Sequence, residues 1–245
     1  MKINGEELES PPGADYLNIG PNQIPYLVGY VNSQILYMGF AGAEAIRQLE
    51  EALVLARDQA WAVDRPDLIA EGEYSLGQLY ALAEPPQAQK ALNHYARALE
   101  LTPDNHPVYI SRSDLYLKLG KYAEAIADAT LVIENAPDLA NAAYTNRGKA
   151  YLYQGNFPAA RADFQQARDL SQVENDPYVF YDLSLAQLLT GDLKAAQATL
   201  DEAQPYLDQP TRDDFVLGFE NEKTNYPDQV EGLKTLQAFI QAQKP

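Results

Sequence analysis

Residues 109–125, YISRSDLYLKLGKYAEA, and residues 144–160, YTNRGKAYLYQGNFPAA, decide the fold, because the second stretch repeats the first with a shift of 35 residues. Tyr109, Arg112-Ser113, Tyr116, Gly120, Tyr122 and Ala125 become Tyr144, Arg147-Gly148, Tyr151, Gly155, Phe157 and Ala160. The register continues through Ala129 and Val132 to Pro137 in the first unit, and through Phe164 and Ala167 in the second. A period in this range belongs to arrays of helical hairpins. The residue types give the mechanical reason. Two helices joined by a tight turn approach closely only where side chains are small, and large side chains then fill the neighbouring holes. Gly148, Ala160 and Ala167 are expected where helices touch, with Tyr151 and Phe164 plugging the space between them. Gly120, Gly155 and, one unit on, Gly191 stand where each first helix should stop, since glycine takes a left-handed conformation without steric cost.

Working outward, an upstream unit carries Leu76-Gly77, Tyr80, Ala91, Tyr95, Ala98 and Pro103, with extra residues in its Glu84-Pro85-Pro86-Gln87 turn. A downstream unit carries Phe180, Leu183-Ser184, Gly191, Leu193, Ala196, Leu200 and Ala203, with Gln187 in place of the tyrosine. The pattern resembles the tetratricopeptide repeat, whose signature is an aromatic, Leu-Gly and Tyr on a first helix and Ala, Phe, Ala and Pro on a second. The resemblance implies an all-α, right-handed superhelical solenoid of antiparallel helix pairs. The expected organisation is an extended arm over residues 1–23 and an array over 24–209. The array divides near 24–66 (degenerate), 67–105, 106–140, 141–175 and 176–209, and capping helices follow over 210–245. In the degenerate unit, a stretch from Pro25 to Tyr37 bearing Tyr26, Tyr30 and Tyr37 supplies the first helix, and Ala45, Leu49 and Ala52 mark the second. That second helix is expected to run on to a proline break at Asp64-Arg65-Pro66. In a competing reading, residues 19–40 lie across the binding surface and regulate access to it. Asp104, Asp138 and Asp176 precede first helices and are expected to cap them, with Pro107 and Pro177 in first turns.

Composition narrows the function. Thirty-five acidic against 18 basic side chains give a formal charge of −17, which repels phosphate backbones and anionic lipid and argues against nucleic acid as a partner. The longest uncharged stretch, Ile24 to Phe40, contains Asn32, Ser33 and Gln34 and is short for the ~20 apolar residues of a membrane span, so no direct membrane insertion is expected. Met1 to Glu7 lacks a basic head followed by an apolar core, so the expected location is cytoplasmic. The chain has no cysteine, and its two histidines, His94 and His106, are not spaced as a helical metal pair. Gly39-Phe40-Ala41-Gly42 lacks the spacing and flanks of a phosphate cradle, and Asp213-Asp214 and Glu50-Glu51 read as solvated helix faces. Neither a catalytic residue, a metal site nor a cofactor is expected, and the protein is read as a non-enzyme.

In the tetratricopeptide family the first helices line the concave surface that receives a peptide. Carried onto this chain, that property places the partner-binding residues at Tyr74 and Gln78; Ile110, Asp114 and Leu117; Thr145, Asn146, Lys149 and Tyr153; and Tyr178, Tyr181 and Leu185. Some members grip a C-terminal carboxylate with Lys, Asn and Arg from three first helices. Asn146 and Lys149 supply part of that set here, whereas Ser111, Ala142, Tyr178 and Asp182 supply none of the rest. The expected partner is therefore a protein or peptide with an apolar, aromatic or proline-containing segment, held by tyrosines that offer contact area at low entropic cost. The expected role is a scaffold or adaptor. An assembly factor or chaperone for a multisubunit bacterial complex, including one associated with a membrane, is the alternative, and an enzyme with an unrecognised site is the remote one. Nothing in the sequence specifies an oligomeric state.

Overall fold

The computed structural model describes residues 2–3, 6–7, 21–22, 24–29, 43–83, 87–170 and 177–242. Among the described residues, twelve helices follow α1, which covers residues 24–29. They are α2 (Ala43–Arg57), α3 (Ala60–Asp64), α4 (Pro66–Leu82), α5 (Ala88–Leu101), α6 (His106–Lys118), α7 (Tyr122–Asn135), α8 (Ala140–Tyr153), α9 (Phe157–Leu170), α10 (Tyr178–Leu189), α11 (Leu193–Ala203), α12 (Gln209–Asn225) and α13 (Val230–Ala242). In the expected arm, Lys2–Ile3 (β1) and Glu6–Glu7 (β2) pair as a short antiparallel ribbon, Lys2 opposite Glu7 and Ile3 opposite Glu6. Tyr30, Tyr37, the turn residues 84–86 and the cap expected at Asp176 lie outside the described residues. Among the described residues, no helix is long and apolar enough to cross a membrane.

The chain divides into two compact units, Met1–Ser111 and Arg112–Pro245, with the division inside α6. In the first unit, Ile24, Leu27 and Val28 of α1 share a buried cluster with Leu49, Leu53 and Ala56 of α2 and Ile69, Leu76 and Leu79 of α4. The expected proline break is corrected here. The second helix of the degenerate unit stops at Arg57, α3 forms a separate short turn, and Pro66 starts α4, where its missing N–H costs no hydrogen bond. In the second unit, Phe164, Phe180, Leu183, Phe215, Phe219, Leu236 and Ile240 belong to one buried core running through α9, α10, α12 and α13.

The expected size pattern is visible in the hairpins. A Cβ added to Gly148 would meet the Phe164 ring at 2.7 Å, and one added to Gly77 would meet Tyr95 at 2.4 Å, so the absent side chain makes room for an aromatic ring. Where the glycine is replaced by Ser113 or Ser184, the opposing residue shrinks to Ala129 or Leu200. The turn glycines 120, 155 and 191 have φ of 70°, 76° and 86°, the left-handed stop read from their position in the repeat.

The hairpins from α4 to α11 also carry a polar pair between their helices. Arg112 donates two hydrogen bonds to Asp128, at 2.7 and 2.8 Å, and Arg147 does the same to Asp163, at 2.8 and 2.9 Å. In the hairpin of α10 and α11, Thr199 donates to Gln187 at 2.8 Å. In that of α4 and α5, His94 Nδ1 lies 2.7 Å from Glu73, which also receives Arg57. His94 is thus a buried partner of a carboxylate, with Tyr80 stacked on its ring at 5.4 Å. Burial disfavours the Glu73 carboxylate, but the hydrogen bonds from His94 and Arg57 outweigh it and hold its pKa below the ordinary value.

Candidate partner-binding face

The first helices of the second unit place side chains at their C-terminal ends, beside the turn glycines, and these meet the start of the second helices. Tyr153, in the last turn of α8, is 54% exposed, and its ring centroid lies 5.5 Å from that of Tyr122 at the start of α7. Phe157 at the start of α9 meets Tyr226, which follows α12, edge to face at 5.7 Å. Lys149 reaches Asp182 of α10 at 3.4 Å. Tyr181 packs on Phe219 at 4.6 Å and Phe215 at 5.3 Å, in the space left by Gly218, where an added Cβ would come within 2.7 Å of its hydroxyl.

The phenols share an electrostatic environment. Burial raises the Tyr226 pKa to about 12, helped by the charge of Glu222 and by Tyr153 and Tyr122. Burial raises Tyr153 too, with Asp182 and Glu222 adding to it and Lys149 opposing. Tyr181 moves up for the same first reason, followed by Glu222 and Asp182. Four aromatic hydroxyls, two carboxylates and one ammonium therefore act on one another over a small area.

The structure distributes the expected residues unevenly. Lys149, Tyr153 and Tyr181 come together in this cluster. Asp114 pairs with Lys118 at 2.7 Å, and the Thr145 hydroxyl turns back to the Asn141 carbonyl at 3.1 Å; Asn146 is half-buried beside it on α8. Tyr178 donates to Asp214 at 2.7 Å and packs on Phe215, which ties α10 to α12. Leu117 and Leu185 are corrected: both are buried, Leu185 at 1% exposure, because apolar neighbours cover the positions that the repeat leaves open. In the first unit Gln78 donates to the Tyr74 hydroxyl, which also bonds Ser111, both at 2.9 Å, while Ile110 is half-buried on α6. Tyr122, Asp182, Glu222 and Tyr226 are the members that sequence reasoning missed. Asp182 carried a signal, since it follows Asn146 by about one period. Among the described residues, no group of three or more His, Asp or Glu is placed to hold a metal.

Two segments, residues 94–127 and 145–210, match family models described as tetratricopeptide repeat. The chain is 30% identical over 143 residues to human tetratricopeptide repeat protein 13, covering 57% of this chain and 16% of that protein. It is 33% identical over 78 residues to the Hsp70-Hsp90 organizing protein of Triticum aestivum, covering 32% of this chain and 13% of that one. The match thus spans under a fifth of the length of these relatives. The fold resembles the crystal structure of PilW, described as a widely conserved type IV pilus biogenesis factor, with a TM-score of 0.62 and 19% identity over 90% of this chain and 93% of that one. Residues 94–127 and 145–210 thus carry tetratricopeptide repeats, and the fold of antiparallel helix pairs is the same as that of solved repeat proteins.

Proposed function

We propose that the protein is a non-enzymatic interaction scaffold that holds a segment of a partner protein against the first-helix face of its second unit. The observation that carries this is the half-open tyrosine cluster around Tyr153. It offers ring surface at the ends of α8 and α12 while the interior between the helices is already filled. Tyrosine suits such a face because its rigid ring combines apolar area with a hydroxyl that can hydrogen-bond. The organising role in the name of the wheat relative fits an adaptor. The pilus-biogenesis role ascribed to PilW fits the alternative of an assembly factor, whose association would end when its complex is complete.

Affinity capture from the native lysate tests the reading. A Tyr153→Ala variant, at a half-exposed ring, is expected to lose the captured protein while keeping the wild-type unfolding midpoint. A Lys194→Ala and Gln197→Ala variant, at an exposed and a half-buried position of α11, should retain it. Retention by the first variant removes the proposal. A partner absent from the finished complex separates assembly factor from adaptor.

A further inference from the structure

The ring cluster has a chemistry more specific than apolar contact. Glu222, on the last turn of α12, accepts the Tyr226 N–H on its backbone carbonyl at 2.8 Å, and the Tyr226 ring meets Phe157 at the far side of the short turn that begins after Tyr153, so the Glu222 charge reaches Tyr153, Tyr181 and Tyr226. Asp182 is already paired with Lys149, whereas Glu222 accepts only the Asn225 amide, at 2.9 Å on one of its oxygens, among the described residues. No side-chain hydrogen bond joins the hydroxyls of Tyr122, Tyr153, Tyr181 or Tyr226 to another described residue, so their oxygens remain acceptors. The C-terminal ends of α8 and α12 lie at Tyr153 and Asn225, and each adds partial negative charge from its last carbonyls. Electron-rich ring faces, an unneutralised carboxylate and two helix C-termini all favour a cation. The formal charge of −17 favours the same sign of partner at longer range.

We propose that Tyr122, Tyr153 and Tyr226, with Glu222 beside them, form a receptor for one basic side chain, a lysine or arginine, on the bound segment. This rests on the segment-binding reading of the face. The ammonium or guanidinium group lies against the rings and is neutralised by Glu222, while its aliphatic stem covers the exposed edge of Tyr153. The sign of recognition is opposite to that of a carboxylate grip, and Lys149 is held away from the ligand by Asp182.

The test selects random nine-residue peptides displayed on phage against the full-length chain, then measures the selected peptides in solution by fluorescence anisotropy. Peptides with a Lys or Arg at one fixed position are expected. Replacing that residue with norleucine should weaken binding about tenfold, and Glu222→Gln should weaken the basic peptide to a similar degree while leaving the norleucine peptide unchanged. Glu222→Gln keeps size and half-exposure, and its unfolding midpoint is compared with wild type to confirm the fold. Peptides that lose binding with Tyr153→Ala but ignore both charge changes would overturn the basic-side-chain receptor and leave the segment-binding face standing. Peptides indifferent to Tyr153→Ala as well, or a selection that yields none, would overturn both.

Discussion

At Gly148 a single methyl group has nowhere to go but into the Phe164 ring, 2.7 Å away. Gly148→Ala is expected to destabilise the second unit by about 1–3 kcal/mol, read from urea unfolding. The neighbouring hairpin shows the remedy, since Ser184 faces Leu200 at the same repeat positions. Adding Phe164→Leu should therefore make Gly148→Ala cost less than it does alone, a coupling that a double-mutant cycle measures. Glu73 gives a second expectation at this scale. Its pKa is lowered in the folded chain, so its contribution to stability is present above the ordinary value of 4.5 and fades as pH falls through the lower folded value. The stability advantage of wild type over Glu73→Gln should thus shrink between pH 6 and pH 3, as measured by circular dichroism.

Among the elements, α12 is the one on which the candidate site leans, and Asp208 sets its start by accepting the Thr211 N–H at 2.9 Å. Asp208→Ala is expected to lower the unfolding midpoint and to speed amide exchange over the first turn of α12. The sequence indicated where helices stop better than where they start. Gly120, Gly155 and Gly191 could be read because only one backbone conformation rewards a glycine there. The caps expected at Asp104 and Asp138 are absent. The Asp104 backbone carbonyl accepts the His106 N–H, and Asp138 lies within a 3-10 turn, Pro137–Leu139, ahead of α8. Three of the seven cluster members, Lys149, Tyr153 and Tyr181, were legible because they lie on first helices inside the period. Tyr122 lies inside the period too but starts a second helix, Asp182 was read only as failing to supply a clamp donor, and Glu222 and Tyr226 come after the period fades and are brought in by packing. Leu117 and Leu185 show the converse, because a period assigns a helix face without saying what later covers it.

For the whole molecule, α12 and α13 complete a core that the repeats leave open. Ending the chain after Leu207 would uncover Phe180, Tyr181 and Leu188, and the truncated protein is expected to bind the dye ANS strongly and to unfold with a broader transition. The polar pairs inside the hairpins bear on how such a chain avoids assembling wrongly. An array of look-alike modules risks joining the first helix of one unit to the second helix of another during folding. A swap between the α4–α5 and α10–α11 hairpins would set Glu73 against Thr199 and Gln187 against His94, leaving the buried carboxylate without its imidazole. A swap between α6–α7 and α8–α9 would exchange one arginine–aspartate pair for another at no electrostatic loss. The pairs therefore act as a code with four letters of which two are identical, and kinetic traps during refolding should concentrate between residues 106 and 170.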